Sequence, residues 1–313
     1  MESSSHRTNR RRHKENYITG KHATIQTVIN ELGSNQYLDK FGSIPAYPQP
    51  VEFHVTKVKH VTGNTGVYGI MEKGGFLPGQ DKRGLSWWSL EVEDDDITAA
   101  EERFLQSLFP NRTEAQAEKQ KPFLKEFTTS PAFLKSSRYG NFKFTFGLKE
   151  LLHEYSRQMC NGEKPILRVY ETLFYKQEIV HSVIAHSPDT HDFDQFQIFQ
   201  DGGRAFEDGI IVWRPEAMSE THRYELITKK EENTVEAMNV WHPQFYVWDH
   251  LTLAFHCNPR RLLHFGKEKL ADSLSACEIG KPALAAICSQ ADQIVAQIKR
   301  KYETDKNMSA VNN

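Results

Sequence analysis

What most constrains the fold of this chain is a succession of short strand-like segments without regular helical crossovers. Val51, Phe53 and Val55 alternate with polar neighbours, the pattern of a half-buried strand. Leu85–Val92, Phe142–Phe146, Ile166–Leu173, Glu178–His186, Gly209–Trp213, His222–Ile227 and Tyr246–Cys257 carry the same strand texture. Helical patterns are fewer. Val67, Ile70 and Met71 share one face ahead of the Gly74-Gly75 stop, and helices are expected over Ala99–Phe109, Ala115–Phe127 and Leu148–Met159. Parallel neighbours need a long crossover, usually a helix. The spacing therefore predicts an α+β fold with a mixed, largely antiparallel sheet.

At 313 residues the chain can bury a substantial core as one large domain or two ordinary ones. Its longest apolar runs, such as Ala283–Cys288, are too short to cross a bilayer, and no apolar stretch of signal-peptide type follows the basic start. Cys160, Cys257, Cys277 and Cys288 show no C-x-x-C spacing. These features lead us to expect a soluble protein with reduced thiols, nuclear or cytoplasmic. The 39 basic against 41 acidic residues argue against a broad nucleic-acid-binding face. Charge is nonetheless concentrated at Arg7, Arg10, Arg11, Arg12 and Lys14, which suits a nuclear-import signal, a phosphate-binding arm or a solvated tail.

The expected organisation has four parts. Residues 1–45 form a basic, mostly disordered arm, and 46–265 an α+β domain with added strands after 190. Residues 266–302 form a helical segment, and 303–313 a disordered tail. Leu284, Ile287, Ala291, Ile294 and Ile298 step by threes and fours, a narrow seam suited to packing on the body or to self-association.

Three strand-borne positions stand out as candidates for chemistry. In Phe53-His54-Val55-Thr56, alternation sends His54 and Thr56 to one side and the apolar pair to the other. In Leu85–Leu90, Trp87 and Trp88 project to opposite faces, so one ring can be core while the other offers a stacking surface. Glu178 opens a β-rich run that continues through His181 to Val183. A carboxylate there either faces solvent or, beside a bound ribose, stabilises developing positive charge.

The run Gln177-Glu178-Ile179-Val180-His181-Ser182-Val183 resembles the glutamate strand of the diphtheria-toxin-like ADP-ribosyltransferases. That superfamily includes the poly(ADP-ribose) polymerases, with a His, Tyr, Glu triad on three strands. The Phe-His-Val-Thr segment, the helix after it and Gly74-Gly75-Phe76 are similar to the opening of the DNA-modifying toxins of this class. The resemblance covers roughly residues 51–190 and implies a sheet of ADP-ribosyltransferase type with extra strands and a C-terminal helix. It implies NAD as co-substrate and a protein or nucleic-acid acceptor. His54 and Thr56 would hold ribose, the Val55 backbone would pair with the carboxamide, and Trp88 or Trp87 would stack on nicotinamide. Glu178 would bind the ribose 2′-hydroxyl and favour an oxocarbenium-like transition state.

Two departures stand against the polymerase pattern: Val55 replaces the glycine after the histidine, and tryptophan replaces the middle tyrosine. They keep open a catalytically inactive interaction module, with nucleic acid among its candidate partners, and an NAD glycohydrolase. Two other features admit functional readings. Arg138, in the loop Ser137–Gly140, is placed to meet a phosphate, and Asp249-His250 reads as an acid–base dyad or a capped turn. His181, His186, His191, Asp192 and Asp194 cluster in sequence without metal-ligand spacing, so no metal site is expected.

Overall fold

The computed structural model describes residues 5–8, 14–32, 35–79, 83–200, 205–240, 244–257, 261–280 and 286–311. The chain opens with β1 (Ser5–Thr8), β2 (Lys14–Thr19) and α1 (Ile25–Leu32). β3 (Phe53–Val55), β4 (Lys57–Thr62), α2 (Asn64–Lys73), β5 (Gly75–Phe76) and β6 (Leu85–Glu91) follow. α3 (Asp94–Leu108) and α4 (Glu114–Lys119) lead to β7 (Phe142–Gly147), α5 (Leu148–Met159), β8 (Ile166–Tyr175) and β9 (Glu178–His186). Next come β10 (Ala205–Glu207), β11 (Ile210–Trp213), the hairpin β12 (Tyr224–Lys229) and β13 (Thr234–Asn239), and β14 (Trp248–His256). β15 (Leu263–His264), α6 (Lys267–Ser273), β16 (Leu274–Ala276) and α7 (Ala291–Val311) complete the order.

The fold is α+β. Nine strands form one sheet in the order β1-β2-β8-β9-β14-β6-β4-β7-β16, antiparallel throughout except for β9 beside β14. The strand texture of Tyr246–Cys257 is therefore confirmed, and of the strands after residue 190 this one joins the main sheet in its interior. β14 lies inside the sheet, parallel to β9 and antiparallel to β6, so the main sheet is incomplete without it.

One sheet face is apolar. Val58, Trp88, Leu90, Phe144, Phe146, Leu253 and Phe255 are all buried there, with α2, α5 and α6 packed against the strands. Each such side chain stabilises the fold by roughly 1.5–3 kcal/mol. α2 stops where Gly74 takes a left-handed conformation (φ 72°). α3 begins at Asp94, earlier than its apolar spacing indicated, because Glu93 and Asp96 form a capping box. The helix expected over Ala115–Phe127 is divided into α4 and a short 3₁₀ turn, Leu124–Phe127, with Pro122 between them.

The disordered arm also needs correction. Ser5–Thr8 and Lys14–Thr19 extend the sheet, and Ile18, Ile25, Val28 and Leu38 pack on Phe174, Ile179 and Val247. Thr172 Oγ1 fastens this segment, accepting the Ala23 N–H (2.9 Å) and lying 2.7 Å from the Lys21 carbonyl. Arg7 forks onto the buried Glu171 at 2.7 and 2.9 Å, an ion pair a solvated tail would lack. Arg10, Arg11 and Arg12 lie outside the described residues. At the other end, α7 continues as helix through the expected disordered tail to Val311. Ala291, Ile294 and Ile298 of the seam pack on the main core; Ile287 is exposed, and Leu284 lies outside the described residues.

Candidate functional site

Glu178 opens β9 at one end of the main sheet, directly after the β8–β9 turn. The turn is held because the Gln177 side-chain amide donates to Glu220 (3.0 Å) and to the Tyr246 carbonyl (3.2 Å). Register then decides the neighbours of Glu178. Trp248 pairs with it across β14, and the alternation of a strand brings His250 to the same face. The same face continues through Ser89 of β6 and Lys59 of β4. The loop containing Pro131, Ala132 and Ser136–Tyr139 covers this end, and together these residues line a cavity of about 60 Å³.

The carboxylate is almost fully buried, with 4% of its surface exposed. His250 Nε2 lies 2.8 Å from Glu178 Oε1, and the Arg138 guanidinium forms an ion pair with the same oxygen. Burial alone would raise the carboxyl pKa; the His250 hydrogen bond and then the Arg138 charge outweigh it and hold the group down at about 2. Arg138 is held charged in turn: burial lowers its pKa, but the Glu178 charge prevails and raises it. Its guanidinium carbon lies 5.6 Å from the centroids of both the Trp248 and Tyr139 rings. The Glu178 charge also pushes the Tyr139 hydroxyl up to about 12. Trp248 stacks on His250, with centroids 5.0 Å apart and planes 28° from parallel.

A second charged group occupies the neighbouring strands of this face. Glu91 takes Lys59 at 2.6 Å and Lys143 as a second partner. Burial favours the protonated form of Glu91, but the Lys59 charge and the lysine hydrogen bonds reverse that and lower its pKa. Lys59 is therefore engaged laterally while lining the cavity.

The other sequence-selected residues do not converge on Glu178. His54 belongs to a separate three-stranded sheet, β10-β11-β3, where it pairs with Val212. Its alternation is as expected: Phe53 and Val55 are buried, and the imidazole points away to Glu52 Oε1 (2.5 Å), while Arg214 binds the other oxygen, Oε2 (2.8 Å). Val55 faces Ile211 across the ladder, and Thr56 is exposed beyond the strand end. Trp88 is the core ring of the tryptophan pair, 1% exposed, surrounded by His60, Phe76, Phe146 and Phe255. Trp87 shares the face of Glu178 but pairs with Ala254, whereas Glu178 pairs with Trp248. At about 3.4 Å per residue, that places them roughly 20 Å apart along the strand direction.

Asp249 and His250 likewise fall on opposite faces, so they form no dyad. Asp249 accepts the Glu216 N–H (2.8 Å) and lies 3.8 Å from His181 within the sheet's other layer. Arg138 meets a carboxylate of its own chain instead of a phosphate. Sequence reasoning missed Trp248, Tyr139 and Glu220 at this site, and weighed His250 only with Asp249, as a dyad or a capped turn. The usable signal was the two-residue step from Trp248 to His250, which puts an indole and an imidazole on one face.

No helix among the described residues is long and apolar enough to cross a membrane. In comparisons with known proteins, the chain matches no family model, no curated protein and no solved structure.

Proposed function

We propose that this chain is a catalytically silent interaction module built on an ADP-ribosyltransferase-like framework. The observation that carries this reading is the condition of Glu178. Its carboxylate is neutralised by Arg138 and hydrogen-bonded by His250, in a cavity of about 60 Å³. Pockets that hold drug-sized ligands measure roughly 300–1,000 Å³, and NAD is larger than most of those ligands. The groups that would hold ribose and nicotinamide, His54 and Trp88, belong to another sheet and to the core. The partners this reading retains are a protein or a nucleic acid, in the nucleus or cytoplasm.

A transferase that uses NAD is the second reading. It is favoured by the ionised carboxylate at the head of a strand, with an indole and an imidazole beside it in Trp248 and His250. Turnover would require the loop carrying Arg138 to withdraw, exposing the Glu178 end of the sheet. Incubation with labelled NAD separates these readings. The silent module gives no labelled protein or nucleic acid, no free ADP-ribose and no saturable NAD binding by calorimetry. Label transfer that disappears in Glu178→Ala would overturn it in favour of the transferase, and free ADP-ribose alone would point to a glycohydrolase.

A further inference from the structure

We propose that the Glu178 centre is a guanidinium-binding site, filled in this conformation by the chain's own Arg138, and that an arginine side chain presented by a partner protein takes its place. The inference goes beyond the silent-module reading and requires nothing of NAD.

The surroundings of the guanidinium carry the argument. Arg138 meets the buried Glu178 carboxylate, and its Cζ lies 5.6 Å from the centroids of two aromatic rings, Trp248 and Tyr139. A half-buried second carboxylate, Glu220, is fixed nearby by Gln177. A planar, weakly hydrated cation is the ligand for which rings and a carboxylate act together, and an ammonium is the poorer fit. Glu178 itself is placed by the sheet register, and His250 holds its oxygen at 2.8 Å, so the receptor half belongs to the sheet.

The delivering half is built differently. Arg138 sits in a loop outside the helices and strands. The backbone of its neighbour Ser137 is joined to a second loop by bonds to the Glu278 carbonyl (2.7 Å) and the Gly280 N–H (2.9 Å). Tyr139 is half exposed, and so is Phe245, three residues before Trp248. The cavity adjoining the guanidinium supplies space on the receptor side. Withdrawing Arg138 would leave Glu178 buried with its principal cation gone, a condition that favours capture of another cation of the same shape.

The test uses the full-length chain carrying Arg138→Ala and millimolar guanidinium chloride, with methylammonium chloride and sodium chloride as controls. At that concentration the denaturant action of guanidinium is negligible, since its effect is only a few kcal/mol per molar. Thermal melting and calorimetry should show Arg138→Ala stabilised saturably, with half-effect at roughly millimolar guanidinium. Methylammonium should be at least about tenfold weaker. The wild type, whose site is filled, should not respond, and Arg138→Ala combined with Glu178→Gln should lose the response. Should Arg138→Ala fail to fold, Arg138→Lys retains the charge; it should bind acetyl-argininamide at least about tenfold more tightly than wild type does. Absence of a guanidinium-specific, Glu178-dependent response would overturn the proposal and leave the contact a structural ion pair only. All readouts are taken without NAD, so their failure is separate from any result of the labelled-NAD assay.

Discussion

Replacing Glu178 by glutamine keeps the side chain's size and removes its charge, so the consequence can be worked from its surroundings. The folded-state pKa of about 2 lies below the ordinary 4.5, because His250 and Arg138 outweigh burial. The folded protein therefore binds fewer protons than the unfolded chain in this range. The resulting stabilisation is fully present above about pH 4.5 and is lost as pH falls through 2. With those two values, the contribution of Glu178 declines by about 2 kcal/mol between pH 5 and pH 3, and by about 3 kcal/mol when titration is complete. At 4% exposure, little solvent screening reduces it. Urea unfolding of wild type and Glu178→Gln at each pH provides the assay, with equal slopes confirming comparable unfolding. Glu52, Glu91 and Glu154 also have lowered pKa values but are common to both chains, so they cancel in the difference. The stability gap between the two proteins should narrow by about 2 kcal/mol from pH 5 to pH 3. A gap constant to within about 0.5 kcal/mol would refute the clamped, buried carboxylate.

Four further substitutions separate core from surface and arm from tail. Trp88→Ala removes a fully buried indole and should cost about 3–5 kcal/mol in chemical denaturation, whereas His54→Ala should stay within about 0.5 kcal/mol. The reverse order would restore His54 and Trp88 as exchangeable site groups. Gly140→Ala puts a Cβ 1.9 Å from the Thr62 carbonyl oxygen, a backbone clash that cannot relax through a side chain. It should lower the melting temperature by an amount equivalent to about 3 kcal/mol and displace the adjoining Arg138 loop, visible as altered Trp248 fluorescence. Arg7→Ala strands the buried Glu171 carboxylate and should cost about 3–5 kcal/mol, while a solvated N-terminal tail would give no change.

Strand positions were readable because half-buried strands impose a two-residue alternation, and His54, Trp88 and Glu178 all proved to be on strands. Which strands become neighbours was not readable. β14 inserts between β9 and β6, a pairing set by burial on both faces rather than by local sequence. The N-terminal strands were hidden for a different reason. Their basic and polar residues read as solvated, yet Arg7 finds its carboxylate 164 positions away on β8. α4 and the 3₁₀ turn after it show the opposite limit: the charged helical texture was real, but Pro122 ended it.

The same register explains why a glutamate could be located from sequence while its role could not. A strand-opening carboxylate acquires chemistry only from what the adjacent strand and the covering loop bring to it. Here the parallel β9–β14 pairing brings Trp248 and His250, and the loop brings a cation. Had the loop brought a neutral side chain, His250 alone would oppose burial, and the Glu178 pKa would lie higher than it does beside Arg138. With Arg138 present the group stays ionised and its charge is met by a guanidinium. The ionisation state and the identity of the occupant are therefore one property: removing Arg138 should raise the Glu178 pKa, and adding guanidinium to Arg138→Ala should lower it again. Titration of the Glu178 side-chain carboxyl by NMR would record both steps. A carboxyl shift indifferent to Arg138 would show that His250 alone sets the charge.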